Sequence, residues 1–256
     1  LIYVLLTANI FFFYQEESLA VKSTFSQGIS ITDIIQGFAA TLDTAAWVML
    51  LFLFELNTSE YLKRLNSLNN AFIAKNFIRI FSYGLICYAF FGYLLKYILL
   101  INIEPFFIED VCSLVDQGYY LIENLDEYPL MTASNCLALS NNPLFVLSGQ
   151  AILGTKSDWQ AIQNLGLVDI INSGTWILIV MIIELEVLFG SKLLTTRLKF
   201  LNLKILKTIL YLILFSAAAF WGFKGDFLDF WDAFLWLVAF FFIELNLLKI
   251  GQPQTN

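Results

Sequence analysis

The stretch DTAAWVMLLFLFELN, residues 43–57, is an apolar run with a carboxylate at each end and a tryptophan between. A run of this composition belongs in lipid, and lipid penalises charge, so the acids need a reason. The pattern occurs twice more, as NSGTWILIVMIIELE at 172–186 and DAFLWLVAFFFIELN at 232–246. Each copy reads Asp or Asn, three residues, Trp, seven apolar residues, then Glu.

The spacing has a physical meaning. Asp43, Trp47, Leu51 and Glu55 are four residues apart, so on a helix they form one slowly winding stripe. Asn172, Trp176, Val180 and Glu184 form a second stripe, and Asp232, Trp236, Phe240 and Glu244 a third. The polar ends of each stripe are about 18 Å apart along the axis, against a hydrocarbon core of about 30 Å. At least one end therefore falls inside the membrane and should face protein or water.

Outside the stripes the chain is equally apolar. Hydrophobic residues make up 59% of it and the mean hydropathy is +0.75, well beyond an average soluble domain. The runs are continuous rather than alternating, which excludes a β-barrel pattern. Six spans are drawn, at 1–14, 32–57, 77–101, 167–189, 203–223 and 228–248. The first 14 residues are read as the end of a span, since they carry no basic n-region and no small-residue cleavage site.

The three copies suggest repetition. An offset of 129 residues takes copy one onto copy two and also Lys63 onto Lys192 and Lys75 onto Lys204. An offset of 60 takes copy two onto copy three and Asp169 onto Asp229. The expected fold is thus an all-α integral membrane protein, a six-helix transmembrane bundle built from three up-down hairpin repeats. Its segments are 1–103, 104–165 and 166–256.

Charge sets the orientation. Lys63, Arg64, Lys75, Arg79, Lys192, Arg197, Lys199, Lys204, Lys207 and Lys249 fall on one side, ten of the 14 basic residues. That side is read as cytoplasmic, and the chain is placed in a bacterial inner (plasma) membrane. TSEYLKRLNSLNNAFIAKN at 58–76 predicts an elbow helix in the lipid interface, and SKLLTTRLKFLNLK at 191–204 repeats the idea. The long acidic region 104–165 is then an extracytoplasmic loop, where Cys112 and Cys136 can form a disulfide. Within it, IEDVCSLVDQGYYLIENL at 108–125 predicts a short helix, and SDWQAIQNLG at 157–166 a helical lead into the fourth span.

Composition also restricts function. The chain has no histidine and three scattered cysteines, so His-based catalysis and a His or Cys metal centre are excluded. No nucleophile–base pair or Gly-rich phosphate loop can be named, so no enzyme, cofactor or metal is expected. A net charge of −7 argues against nucleic acid. Two readings remain. In one, the acidic stripes line a path in a cation or proton channel or transport subunit. In the other, the chain is a non-catalytic structural or anchoring subunit of a larger membrane assembly, and its acids are interfacial anchors. There Glu55 would pair with Lys75 or Arg79, and Glu184 with Lys204 or Lys207. The expected partners are membrane lipids and either copies of this chain or other membrane subunits.

Overall fold

The computed structural model describes residues 1–24, 34–35, 37–58, 69–139, 142–193 and 197–250, and side-chain surroundings at 1–22, 24, 34–35, 37–56, 73–139, 142–185 and 203–242. Among these there are seven α-helices and one four-stranded sheet. The helices are α1 (Ile2–Thr24), α2 (Ala39–Thr58), α3 (Asn69–Ile101), α4 (Cys136–Leu139), α5 (Lys156–Leu193), α6 (Arg197–Lys224) and α7 (Phe227–Ile250). Four are long and apolar enough to cross a membrane, over Ala39–Leu56, Ile73–Ile101, Lys156–Leu185 and Leu203–Lys224. The chain forms two compact units, Leu1–Asn9 with Ile171–Asn256, and Ile10–Ile170.

The six-span, three-hairpin bundle is corrected by this arrangement. The first expected span belongs to α1, which does not stop at residue 14 but runs on through Gln15, Glu16 and Glu17. Those residues, with Asn9, dilute its hydropathy, and α1 is not among the four. The sixth expected span is helical as α7, but the side chains of 243–250 lie outside the described residues. The helix pairing also differs. The repeat scheme pairs span one with two, three with four and five with six. α6 packs along α7 as its third hairpin requires, whereas α2 packs along α3, which the scheme places in different hairpins.

A glycine helps explain the first pairing. A Cβ at Gly92 of α3 would lie 2.5 Å from the Ile35 carbonyl oxygen and 3.0 Å from the Ala39 side chain. Only a bare backbone permits that approach. Glycine otherwise weakens a helix by about 1 kcal/mol relative to alanine, so the close contact is what it supplies.

The region 104–165 is not a loop carrying a short helix. It holds β1 (Ile103–Phe106), β2 (Tyr120–Leu121), β3 (Leu144–Leu147) and β4 (Ile152–Thr155), in the order β1-β3-β4-β2. β1 with β3 and β3 with β4 are antiparallel, and β2 with β4 is parallel. The expected helix at 108–125 reduces to one 3-10 turn, Val111–Leu114. Asp116 at φ 65° and Gly118 at φ 79° turn the chain into the left-handed region, which a helix cannot continue through. Val111, Leu114, Met131, Leu144 and Leu153 form the apolar core of this sheet module. Cys112 and Cys136 are joined in a disulfide across it, which contributes about 3 kcal/mol on the chain-entropy view.

The module is fused to its helices. β1 begins two residues after α3 ends, and α5 begins on the residue after β4. The helical lead expected at 157–166 is the first turns of α5. Its Trp159 is fully buried and donates its indole N–H to the Phe145 carbonyl at 3.1 Å. Gln163 donates to the Leu100 carbonyl at 2.9 Å, satisfying one of the orphan acceptors at the end of α3. The elbow helix expected at 58–76 falls largely on residues 59–68, outside the described residues, and from Asn69 onward the chain is already α3.

Gly92→Ala should destabilise the protein by about 1–3 kcal/mol, because the Ile35 carbonyl cannot rotate away as a side chain could. Gly84, also on α3, has nothing within 4 Å of an added Cβ. Thermal unfolding in detergent should therefore show Gly92→Ala melting several degrees below the native protein and Gly84→Ala melting at or above it.

Candidate functional site

The three stripes are turned inward at their centres. Trp47 is 8% exposed, Trp176 6% and Trp236 6%. On α2, Asp43 and Leu51 are buried with Trp47, while Glu55 is half-buried. The Tyr93 hydroxyl on α3 approaches the Asp43 carboxylate at 3.5 Å. On α5, Asn172, Val180 and Glu184 are half-buried. On α7, Asp232 is half-buried and Phe240 buried, and the Glu244 side chain lies outside the described residues.

The second and third stripes meet. The Trp176 and Phe240 rings are 4.6 Å apart, and Trp236 lies 6.2 Å from the same phenylalanine. The stripe of α2 belongs to the other compact unit. The polar end of the third stripe finds a partner that sequence reasoning did not single out. Asn9 of α1, 1% exposed, donates its amide to Asp232 Oδ1 at 2.7 Å. Such a bond is what a carboxylate removed from water requires. At the other ends, Glu55, Lys75, Arg79, Glu184, Lys204 and Lys207 are all engaged by neighbours. The Arg79 guanidinium lies 5.9 Å above the Tyr83 ring. The side chains of Lys63, Arg64, Lys192, Arg197, Lys199 and Lys249 lie outside the described residues.

A second polar cluster is more concentrated. Lys96 sits five residues before the end of α3, in the otherwise apolar run FFGYLLKYILLI. Its ammonium reaches both oxygens of Asp126, at 2.7 and 2.8 Å, with side-chain exposures of 14% and 19%. Asp169 of α5, 8% exposed, and Glu17 of α1, 2% exposed, add to the negative field at Lys96. The Tyr128 hydroxyl donates to the Leu125 carbonyl, and burial beside the Asp126 carboxylate holds this phenol well above its usual range. A cavity of about 30 Å3 opens beside Lys96, Asp126, Tyr128 and Thr24, enough for about one water.

Glu17 has its own structural task. Its carboxylate accepts from the Ala40 N–H at 2.8 Å, the Thr41 N–H at 3.0 Å and the Thr41 hydroxyl at 2.6 Å. These amides belong to the first turn of α2, where N–H groups have no partner within the helix. A carboxylate there also meets the positive end of the helix dipole. The signals for this cluster were present in the sequence. Lys96 stands far from Lys75 and Arg79, the other cations of its apolar helix, and a cation so placed within a span is a functional-site pointer by default. Glu17 comes three residues after a run of three phenylalanines and a tyrosine.

Chemically, the cluster can hold charge and position helices, and its one cation is already saturated by carboxylates. Among the described residues no group of three or more His, Cys, Asp or Glu side chains is placed to hold a metal. No protein-family model, curated protein or solved structure matches the chain.

Removing the cation alone should be worse than removing the pair. Lys96→Met strands Asp126 beside Asp169 and Glu17, and should cost about 3–5 kcal/mol in thermal or denaturant unfolding. The double variant Lys96→Met with Asp126→Leu should recover much of that loss, a coupling that a double-mutant cycle reads directly.

The raised Tyr128 gives a second test, with a definite sign. Between the ordinary tyrosine value near 10 and its folded value, the folded protein keeps a proton that the unfolded chain has released. Stability therefore falls as pH rises through that interval. Native protein should lose stability relative to Tyr128→Phe above about pH 10, with no such divergence at neutral pH.

Proposed function

We propose that this chain is a non-catalytic structural or anchoring subunit of a membrane assembly. Its apolar helices hold it in the bilayer and carry the disulfide-bonded sheet module on the extracytoplasmic side. The reading rests on one observation above others: three charged side chains of the helices are bonded inside the fold. Glu17 is bound by the first turn of α2, Asp232 by Asn9, and Lys96 by Asp126. The stripe tryptophans are buried, and Trp176 packs on Phe240.

The sidedness follows from the four apolar helices alone. The sheet module lies between the end of α3 and the start of α5, so it is on one side of any membrane they cross. On this reading the end of α2 and the start of α3, and the end of α5 and the start of α6, lie on the other. The basic residues concentrate near those ends, and this charge bias supports reading that side as cytoplasmic. The disulfide fits an oxidising compartment for the module. An inner or plasma membrane suits both, and the partners are lipid and further membrane subunits or copies of this chain.

The competing reading, a cation or proton path, draws its support from the carboxylates gathered around Lys96 beside a small cavity. Flux measurement separates the two. Purified, folded protein in liposomes should pass no proton or cation current above that of protein-free liposomes. The combined Glu55→Gln, Glu184→Gln and Glu244→Gln variant should behave in the same way. Native flux that disappears in the folded triple variant would remove the assembly reading and establish the stripes as an ion path.

A further inference from the structure

A groove of about 770 Å3 runs beside β1, lined by residues 105–111 and 142–145. We propose that it takes an extended segment of a partner protein in which lysine or arginine residues alternate with apolar ones. This deepens the assembly reading and rests on it for the existence of a partner.

The shape favours a chain-like occupant. The volume falls in the range of small-molecule sites, but such sites enclose most of their ligand. This groove is only partly enclosed, so a compact molecule would keep much of its surface in water. A peptide gains contact by running along it and leaving at both ends.

The surface favours apolar side chains at the centre. Phe107 is 92% exposed, an unusual position for a phenylalanine of a folded module. Phe106 and Phe145 are half-buried beside it, and Pro105 and Pro143 are exposed. Aromatic rings and prolines lose little conformational freedom when covered, so their contact translates efficiently into affinity. The floor is already rigid. Leu144 and Val111 belong to the module core, Phe106 packs on Tyr119 at 6.0 Å, and Cys112 is tied to Cys136.

The charge favours cations at the rim. Glu109 and Asp110 line the groove and are exposed, and Asp110 uses one oxygen to cap the Cys112 amide at 2.9 Å. Across 104–165 there are eight acidic residues and one basic residue, Lys156, so the field over the module attracts a basic segment and repels an acidic one. Strand addition is disfavoured. β1 is the edge of the sheet, but Pro105 has no N–H to offer. The occupant is therefore held by side chains, which is why the alternation of cation and apolar residue defines it.

The test uses the full-length protein in nanodiscs of neutral lipid and a fluorescein-labelled peptide of alternating lysine and leucine, with a glutamate–leucine peptide for comparison. Fluorescence anisotropy should show the lysine peptide binding at least about tenfold more tightly than the glutamate one. Phe107→Ser and Glu109→Gln should each weaken it by more than about fivefold. Asp116→Asn combined with Glu123→Gln removes two exposed charges that do not line the groove, and should change binding less than about twofold. Both groove residues are exposed, so an unchanged melting temperature will confirm that the variants fold. An equal loss in the control variant would overturn the proposal in favour of general acidity. So would equal binding of both peptides, or a dimer that Phe107→Ser dissociates while the peptide fails to bind. None of these outcomes touches the flux result, so the groove can fail while the assembly reading stands.

Discussion

A lysine placed near the end of an apolar helix must be matched, and the Lys96–Asp126 pair is the match on which much of this fold depends. An unpaired ammonium held out of water costs several kcal/mol, and Asp126 removes that penalty only if its own segment is fixed in place. That segment is part of the sheet module. The pair therefore couples the membrane helix to the module through a requirement that neither could meet alone. Short junctions reinforce it. With one residue, Asn102, between α3 and β1, and none between β4 and α5, the sheet has little freedom to swing on its helices. Trp159 and Gln163 then tie the first turns of α5 to the sheet and to the end of α3.

The same logic explains two other acids of the helices. Glu17 makes three hydrogen bonds where α2 would otherwise present bare amides, so a carboxylate and a helix start resolve each other's deficit. Asn9 does this for Asp232. The repeated Trp has a simpler cause. A long helix flanked by others needs a large side chain to fill the space at its packed face, and in each copy the tryptophan sits there. Similar packing demands on separate helices are enough to give similar stripes, without the helices pairing as repeated hairpins.

What was legible in the sequence follows from range. Long apolar runs announce membrane helices because the signal is local and cumulative, and the four apolar helices fall where the hydropathy places them. Cys112 and Cys136 could be matched because they stand together in one polar region. The sheet was hidden because its strands are two to four residues long and gain their identity from partners some 40 residues away, such as Ile103 opposite Leu147. Periodicity over 108–125 looked helical, yet Asp116 and Gly118 broke it. Lys96 was readable as a charge deep in an apolar run, but its partner was not, since Asp126 is one of several acids in an acidic stretch. Only the folded chain distinguishes the one that turns inward.

The division of polar residues has a consequence for what remains on the surface. Where the helices have consumed their own charges, the exposed residues are Phe77, Ile80, Phe81, Leu212, Phe215 and others of that kind, suited to lipid or to neighbouring apolar helices. Such faces attract without discriminating. The sheet module is the reverse, with eight acids, a shaped groove and a backbone fixed by a disulfide and by direct fusion to two helices. Specific recognition needs groups held in place before the partner arrives, since each side chain ordered on contact subtracts from affinity. On the proposed function, anchorage and recognition would thus fall to different parts of one chain. The buried lysine–aspartate pair would join them, because the charge that lipid would reject is the one that fixes the Asp126 segment of the module.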